Sequence, residues 1–184
     1  SGVSILTHIE TADPSNDSTD YGALDYIYAA DGSDVVFGGS GGDEIDAGTD
    51  SSRDIVVGDQ GQADFTTEGL ITYIATTQPE NGGRDTITTG DGDDIVLGGY
   101  ESDHINVGNG NNIVLGDNGF VDWTAADSSR TYDPVLSGDD TDPSTIDRLS
   151  TANPTQGGSE LIISGDGNDL LFGGTGDDTI YAGA

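Results

Sequence analysis

Short apolar triplets punctuate the chain, and they come in two kinds. In "VVF" (35–37), "IVV" (55–57), "IVL" (95–97), "IVL" (113–115) and "LLF" (170–172) all three positions are apolar. In "EID" (44–46), "TIT" (86–88), "HIN" (104–106) and "TIY" (179–181) an aliphatic residue sits between more polar neighbours, and "YIY" (26–28) and "LII" (161–163) take the same places with apolar flanks. The two kinds alternate, mostly nine residues apart, with glycine- and aspartate-rich segments between them. Each triplet predicts a short strand whose middle residue faces one way and whose flanks face the other. Strands of about three residues are poor hairpin arms but stack well in a solenoid.

The segments between triplets repeat as well. "GGSGGDEID" (Gly38–Asp46) and "GGTGDDTIY" (Gly173–Tyr181) both fit G-G-x-G-x-D-x-U-x, where U is a large aliphatic residue. Degenerate copies are "AADGSDVVF" from Ala29, "TGDGDDIVL" from Thr89, "GGYESDHIN" from Gly98, "VGNGNNIVL" from Val107 and "SGDGNDLLF" from Ser164. "AGTDSSRDIVV" from Ala47 carries two extra residues. The pattern resembles the haemolysin-type calcium-binding repeat of RTX proteins.

That resemblance implies an all-β fold: a right-handed parallel β-roll, or β-solenoid, with two nonapeptides per turn. The eighth-place column that would face inward is Ile27, Val36, Ile45, Val56, Ile87, Val96, Ile105, Val114, Ile162, Leu171 and Ile180. The sixth-place column implied to hold several calcium ions (Ca2+) is Asp25, Asp34, Asp43, Asp54, Asp85, Asp94, Asp103, Asn112, Glu160, Asp169 and Asp178. One edge would stack Asp34, Asp54, Asp94, Asn112 and Asp169, and the other the remaining six. Backbone carbonyls of Gly39, Gly41, Gly90, Gly92, Gly99, Gly108, Gly110, Gly165, Gly167, Gly174 and Gly176 would complete the cages, since calcium takes six to eight oxygens. Asn112 lacks the charge and Glu160 is a methylene longer, so both depart from the pattern.

Insertions at about 1–21, 62–81 and 120–156 interrupt a single array spanning 1–184. They leave through "IVVGDQGQADF" from Ile55 and "IVLGDNGFVDW" from Ile113, and return through "GGRD" and "GGSE". Inside them "LTHIETADP" (6–14), "ITYIATTQP" (71–79) and "IDRLSTANP" (146–154) share aliphatic-x-x-aliphatic-x-T-x-x-P. The insertions therefore form a larger repeat, one every second turn on one edge, and the chain reads as a window on a longer tandem array. The flanks of the all-apolar triplets would make an exposed face of ten apolar side chains. The insertions are expected to fold back over it as short extended arms carrying Leu6, Ile9, Phe65, Ile71, Ile74, Trp123, Ile146 and Leu149, with 127–142 as a mobile extension.

Charge narrows the functional classes. Thirty-five acidic residues against four arginines give a formal charge of −31. Such a chain either stays expanded or folds around cations, and it disfavours nucleic acid and anionic membranes as partners. Without cysteine there are no disulfides or thiolate sites. His8 and His104 have no second His or Cys at ligand spacing, and no general base stands near a candidate nucleophile, so the chain reads as a structural module and not an enzyme. The resemblance implies secretion from a bacterium by a type I route and folding outside the cell, in an adhesin, surface layer or matrix filament at a cell surface. The alternative is the calcium-binding region of a secreted RTX toxin or enzyme whose active domain lies elsewhere. Ice binding fails because outward pairs such as Glu44/Asp46 break any uniform Thr or Asn array. The expected partners are neighbouring repeats of the same chain or identical chains stacked end to end.

Overall fold

The computed structural model describes residues 6–11, 22–124 and 146–184. Among them there are only strands, arranged in three sheets. The first is parallel: β2 (Tyr26–Tyr28), β4 (Glu44–Asp46), β8 (Thr86–Thr88), β10 (His104–Asn106), β14 (Leu161–Ile163) and β16 (Thr179–Tyr181), paired in that order. The second, also parallel, runs β3 (Val35–Phe37), β5 (Ile55–Val57), β9 (Ile95–Gly99), β11 (Ile113–Asp117), β15 (Leu170–Phe172). The chain alternates between the two, so successive turns stack. Register is strict: Ile27 pairs with Ile45, Ile45 with Ile87, Ile87 with Ile105, Ile105 with Ile162 and Ile162 with Ile180. In the second sheet Val36, Val56, Val96, Val114 and Leu171 pair in the same way.

The eighth-place residues meet in one core. Val36, Ile45, Val56, Ile87, Val96, Ile105, Val114 and Ile162 are buried together with Ala47 and Val107. Ile27 and Leu171 pack at its margin, and Ile180, on the last strand, stays largely exposed. Each fully buried aliphatic side chain contributes about 1.5–3 kcal/mol, and the fixed register makes these contributions reinforce one another turn upon turn.

The insertions build the third sheet, which is antiparallel: β1 (His8–Glu10), β6 (Gly61–Phe65), β7 (Ile71–Thr76), β12 (Gly119–Asp122) and β13 (Arg148–Thr151), in that order. Its inner face covers the outer face of the second sheet. Val57, Leu97, Leu115, Ile74, Val121 and Trp123 form a second buried core, with Ile71, Leu149, Phe37 and Phe172 packed against it. The apolar triplets are thus explained, because a parallel sheet covered on both faces reads as an unbroken apolar run.

Two details differ from expectation. The arms are not separate: they pair sideways into one continuous sheet, so each insertion also supports its neighbour. Leu6 is 61% exposed and Ile146 is exposed too, whereas the equivalent Ile71 packs inward. The reason is position, since β7 lies mid-sheet while β1 and β13 are the outermost strands. Ile9 and Phe65 are half-buried outside the main cluster, and Leu170 remains 43% exposed. Trp123, by contrast, is 2% exposed. The 127–142 extension lies outside the described residues.

Candidate metal centre

The sixth-place side chains stand at the start of each strand, where the turn straightens. Strand pairing two residues later holds each turn in register with the next, so these side chains must stack. They do so as two ladders. On the edge running from the first sheet to the second, which carries no insertion, Asp34 N–H donates to Asp54 Oδ1 (2.9 Å), Asp54 N–H to Asp94 Oδ1 (2.9 Å), Asp94 N–H to Asn112 Oδ1 (3.1 Å) and Asn112 N–H to Asp169 Oδ1 (2.9 Å). On the insertion edge Asp25 N–H donates to Asp43 (2.8 Å), Asp43 N–H to Asp85 (2.7 Å), Asp85 N–H to Asp103 (2.9 Å) and Glu160 N–H to Asp178 (3.1 Å). Both predicted stacks are therefore brought together, with one gap: no side-chain hydrogen bond joins Asp103 to Glu160, and there the turns are joined by the Leu161 N–H donating to the Asp103 carbonyl (2.8 Å).

One carboxylate oxygen is thus used in joining turns. The other decides the chemistry. On the insertion edge the second oxygens of Asp43, Asp85 and Asp103 are buried with no hydrogen-bond partner, and so are both oxygens of Glu160. The extra methylene of Glu160 takes its carboxylate out of the ladder. Burial pushes Asp85 up to about 8 and Glu160 to about 9, the latter also crowded by the Asp178 and Asp117 carboxyls. Asp103 is driven well above the carboxylate range by burial and by the charge of Asp85. Carboxylates stacked in this way without a counter-charge are strongly destabilising when ionised.

The plain edge is better satisfied. Thr89 Oγ1 donates to Asp94 Oδ2 (2.6 Å) and Ser164 Oγ to Asp169 Oδ2 (2.7 Å). Asn112 Nδ2 donates to Asp169 Oδ1 (3.0 Å) and leans on the Gly108 and Gly110 carbonyls (3.4 and 3.5 Å). The amide thus lies against two carbonyls expected to serve as cation ligands. Burial raises Asp94 to about 6, with the Thr89 hydrogen bond opposing it. Asp34 Oδ2 is the one oxygen of this ladder left buried and unpartnered.

Among the described residues, no three His, Asp or Glu side chains converge as a metal cluster. Oxygens from the backbone must therefore complete any cage, and the turns supply them. All the glycines expected to do so, except Gly165, have positive φ, as at Gly39 (107°) and Gly41 (109°). This conformation turns carbonyls in directions that other residues rarely adopt. At Gly38 a Cβ would lie 2.8 Å from Asp43 Oδ2, and at Gly58 and Gly98 it would collide with Asp85 Oδ2 and Asp103 Oδ2. Glycine there also lets the backbone carbonyl of the neighbouring turn, Gly58, Gly98 or Gly116, approach beside each of these oxygens. Hard oxygen donors, orphaned buried carboxylates and close-lying carbonyls together fit a divalent cation such as calcium.

Four functional residues escaped the sequence reading. In "GDQG" and "GDNG" the aspartate proves to be a latch. Asp59 Oδ1 accepts the Gly83 N–H (3.0 Å) and Oδ2 accepts the Tyr100 N–H. Asp117 does the same with Gly158 (3.0 Å) and Thr175. Each carboxylate therefore ties the returning insertion to the uninterrupted loop of the following turn on the same edge. The next residue reaches backwards: Gln60 Nε2 donates to Ser40 Oγ (2.7 Å), and Asn118 Nδ2 to Gly99 O (3.2 Å). Burial, followed by the charge of Asp85, pushes Asp59 up to about 9. The signal was visible as a repeated motif, but its partners lie 19 to 58 residues away.

The family model of the RTX calcium-binding nonapeptide repeat (HemolysinCabind) matches four copies, at residues 22–52, 81–100, 88–120 and 155–184, together more than half of the chain. The chain belongs to this family. The matched RTX segments hold both ladders and their strands except Asp54 and β5, while the third sheet falls mostly outside them. Comparison with curated proteins and with solved structures returned no match. No helix is long and apolar enough to cross a membrane among the described residues.

Proposed function

We propose that this RTX chain is a calcium-loaded structural segment of a long extracellular bacterial protein of the adhesin, surface-layer or matrix-filament kind, wound as a right-handed roll. The observation that carries the reading is the file of buried carboxylate oxygens without partners on the insertion edge. The ligands we assign are the sixth-place carboxylates of Asp25, Asp34, Asp43, Asp54, Asp85, Asp94, Asp103, Glu160, Asp169 and Asp178, with the glycine carbonyls of the same turns; Asn112 contributes at most its amide oxygen. Calcium supplies the positive charge that these columns lack.

The remaining work belongs to the chain's own residues. In every ladder member except Asp25, Asp34 and Glu160, Oδ1 accepts the amide of the preceding turn and holds it in register, and on the insertion edge the second oxygens of Asp43, Asp85 and Asp103 stay free for a cation. The parallel strands bring these oxygens together only when the roll is wound, so binding free energy becomes folding free energy. Without metal, the −31 charge favours the expanded chain. Such a chain passes a secretion channel unfolded and winds outside, with affinities in the range of extracellular modules, roughly 10⁻⁴ to 10⁻³ M. Circular dichroism with and without EDTA tests this: the β signal should vanish on chelation and return with calcium. A spectrum that stays β-rich and unchanged in EDTA at neutral pH refutes it.

A further inference from the structure

The third sheet is made of one strand pair used repeatedly. β1, β7 and β13 occupy the same place in the larger repeat, so His8, Tyr73 and Arg148 are equivalent; β6 and β12 likewise make Asp64 and Asp122 equivalent. Where one insertion meets the next, β1 pairs with β6 through His8–Asp64, Ile9–Ala63 and Glu10–Gln62. β7 pairs with β12 through Tyr73–Asp122, Ile74–Val121 and Ala75–Phe120. The register is the same at both junctions. Within the insertions Asp64 faces Tyr73, and Asp122 faces Arg148.

One row therefore crosses the outer surface of this sheet as His8, Asp64, Tyr73, Asp122, Arg148. Donors alternate with acids. His8 Nδ1 lies 2.5 Å from Asp64 Oδ1, and this contact holds the imidazole above its usual pKa range. At the far end the Arg148 guanidinium sits 4.5 Å from the centre of the Phe120 ring, which itself stacks on Tyr73 (5.9 Å). Arg148 is exposed, and among the described residues no strand pairs on the other side of β13. That open side is the one with which β7 binds β12.

We propose that the outer edge of β13 is a docking site for an acid-bearing strand of the pattern Gly-x-(Ala/Val)-Asp-(Phe/Trp), supplied by a further copy of the larger repeat. The inference rests on the array reading above, and it names the edge, the register and the charge that select the partner. Two arguments converge on this occupant. The β7–β12 junction shows such a strand already seated on an equivalent edge, and Arg148 presents a cation where that strand carries its aspartate. Two identical chains meeting through this sheet would instead bring β13 against β1. Arg148 would then face His8, whose neighbouring acid Glu10 already lies 3.7 Å from His8 Nε2, so the acidic strand is the better-matched occupant of this edge.

The test uses the calcium-loaded chain and a fluorescein-labelled peptide with the sequence of residues 116–124, GDNGFVDWT. Saturable binding by fluorescence anisotropy is expected. The Asp122→Asn version of the peptide, and separately Arg148→Ala in the protein, should each weaken it roughly threefold, as for an opposite-charge cross-strand pair. Combining the two should cost no more than either alone, because both remove the same contact. Absence of saturable binding, equal binding of the Asn peptide, or fully additive losses would each overturn the proposal. The calcium-dependent circular dichroism of Arg148→Ala reports independently on calcium-driven folding, so failure of docking and failure of folding are told apart.

Discussion

At Asp94 and Asp169 a hydroxyl from five residues upstream, Thr89 or Ser164, donates to the second carboxylate oxygen. At Asp43 and Asp103 that upstream residue is glycine, Gly38 or Gly98, and the oxygen has no partner. The two edges are built from the same nonapeptide, yet they ask different things of a cation. The plain edge meets part of its need with hydroxyls and with the Asn112 amide. The insertion edge stacks Asp43, Asp85, Asp103 and Glu160 as buried acids and adds Asp59 and Asp117 beside them. The first position of the repeat thus decides whether the second carboxylate oxygen of the sixth finds a hydroxyl partner.

The largest consequence concerns the metal-free chain. Asp59, Asp85 and Glu160 have folded-state pKa values raised to about 8 or 9. In the unfolded chain such groups titrate near 4. Between these limits the folded state binds more protons, so stability falls as pH rises. In EDTA the roll should be most stable below about pH 4 and lose this contribution progressively up to about pH 9. The plain edge contributes only up to about pH 6, the value for Asp94. Circular dichroism against pH in EDTA measures it, and β signal that grows with pH would break the comparison.

Next comes Asp85→Asn. In calcium it should destabilise by about 3–5 kcal/mol in denaturant unfolding, because one partner of a buried charged assembly is lost. In EDTA the sign should reverse, since a buried acid that must take up a proton to fold has been removed. Asp94→Asn should do less in both conditions; equal effects at the two positions would erase the distinction between edges. Asp59→Ala follows, at about 2–3 kcal/mol for acceptors lost to buried amides. Hydrogen exchange should quicken at Gly83 and Tyr100, the amides it holds, while the Asp34–Asp54 step stays protected. The smallest effect is Thr89→Val. Leaving Asp94 Oδ2 unpartnered should cost about 1–2 kcal/mol, and more at limiting calcium, bringing the plain edge closer to the other in its metal requirement.

Much of this was legible from periodicity. The inward column and both acid stacks follow from counting nine, because backbone register repeats the same environment at each turn. The coverage of the apolar face by Ile71, Ile74, Trp123 and Leu149 was legible too, since ten apolar flanks cannot face water without consequence. Less legible was how far each covering residue is buried. Leu6 and Ile71 hold equivalent motif positions, and only their distance from the sheet margin separates them. The Asp59 and Asp117 latches were invisible as latches because a carboxylate's role depends on which amides it meets, and those lie in other turns.

The sequence by itself determined the period, the alternation of two strand types, the composition of each acid column and the places where insertions leave and return. These are local choices of residue, repeated at fixed intervals. Only the tertiary structure decided which carboxylate oxygens are joined and which are left over, and that insertions from different turns share one sheet. The partners of Asp43, Asp54 and Asn112 are 42, 40 and 57 residues further along the chain. Their meeting depends on how much chain each insertion consumes between turns, and that spacing acquires physical meaning only when the roll is wound.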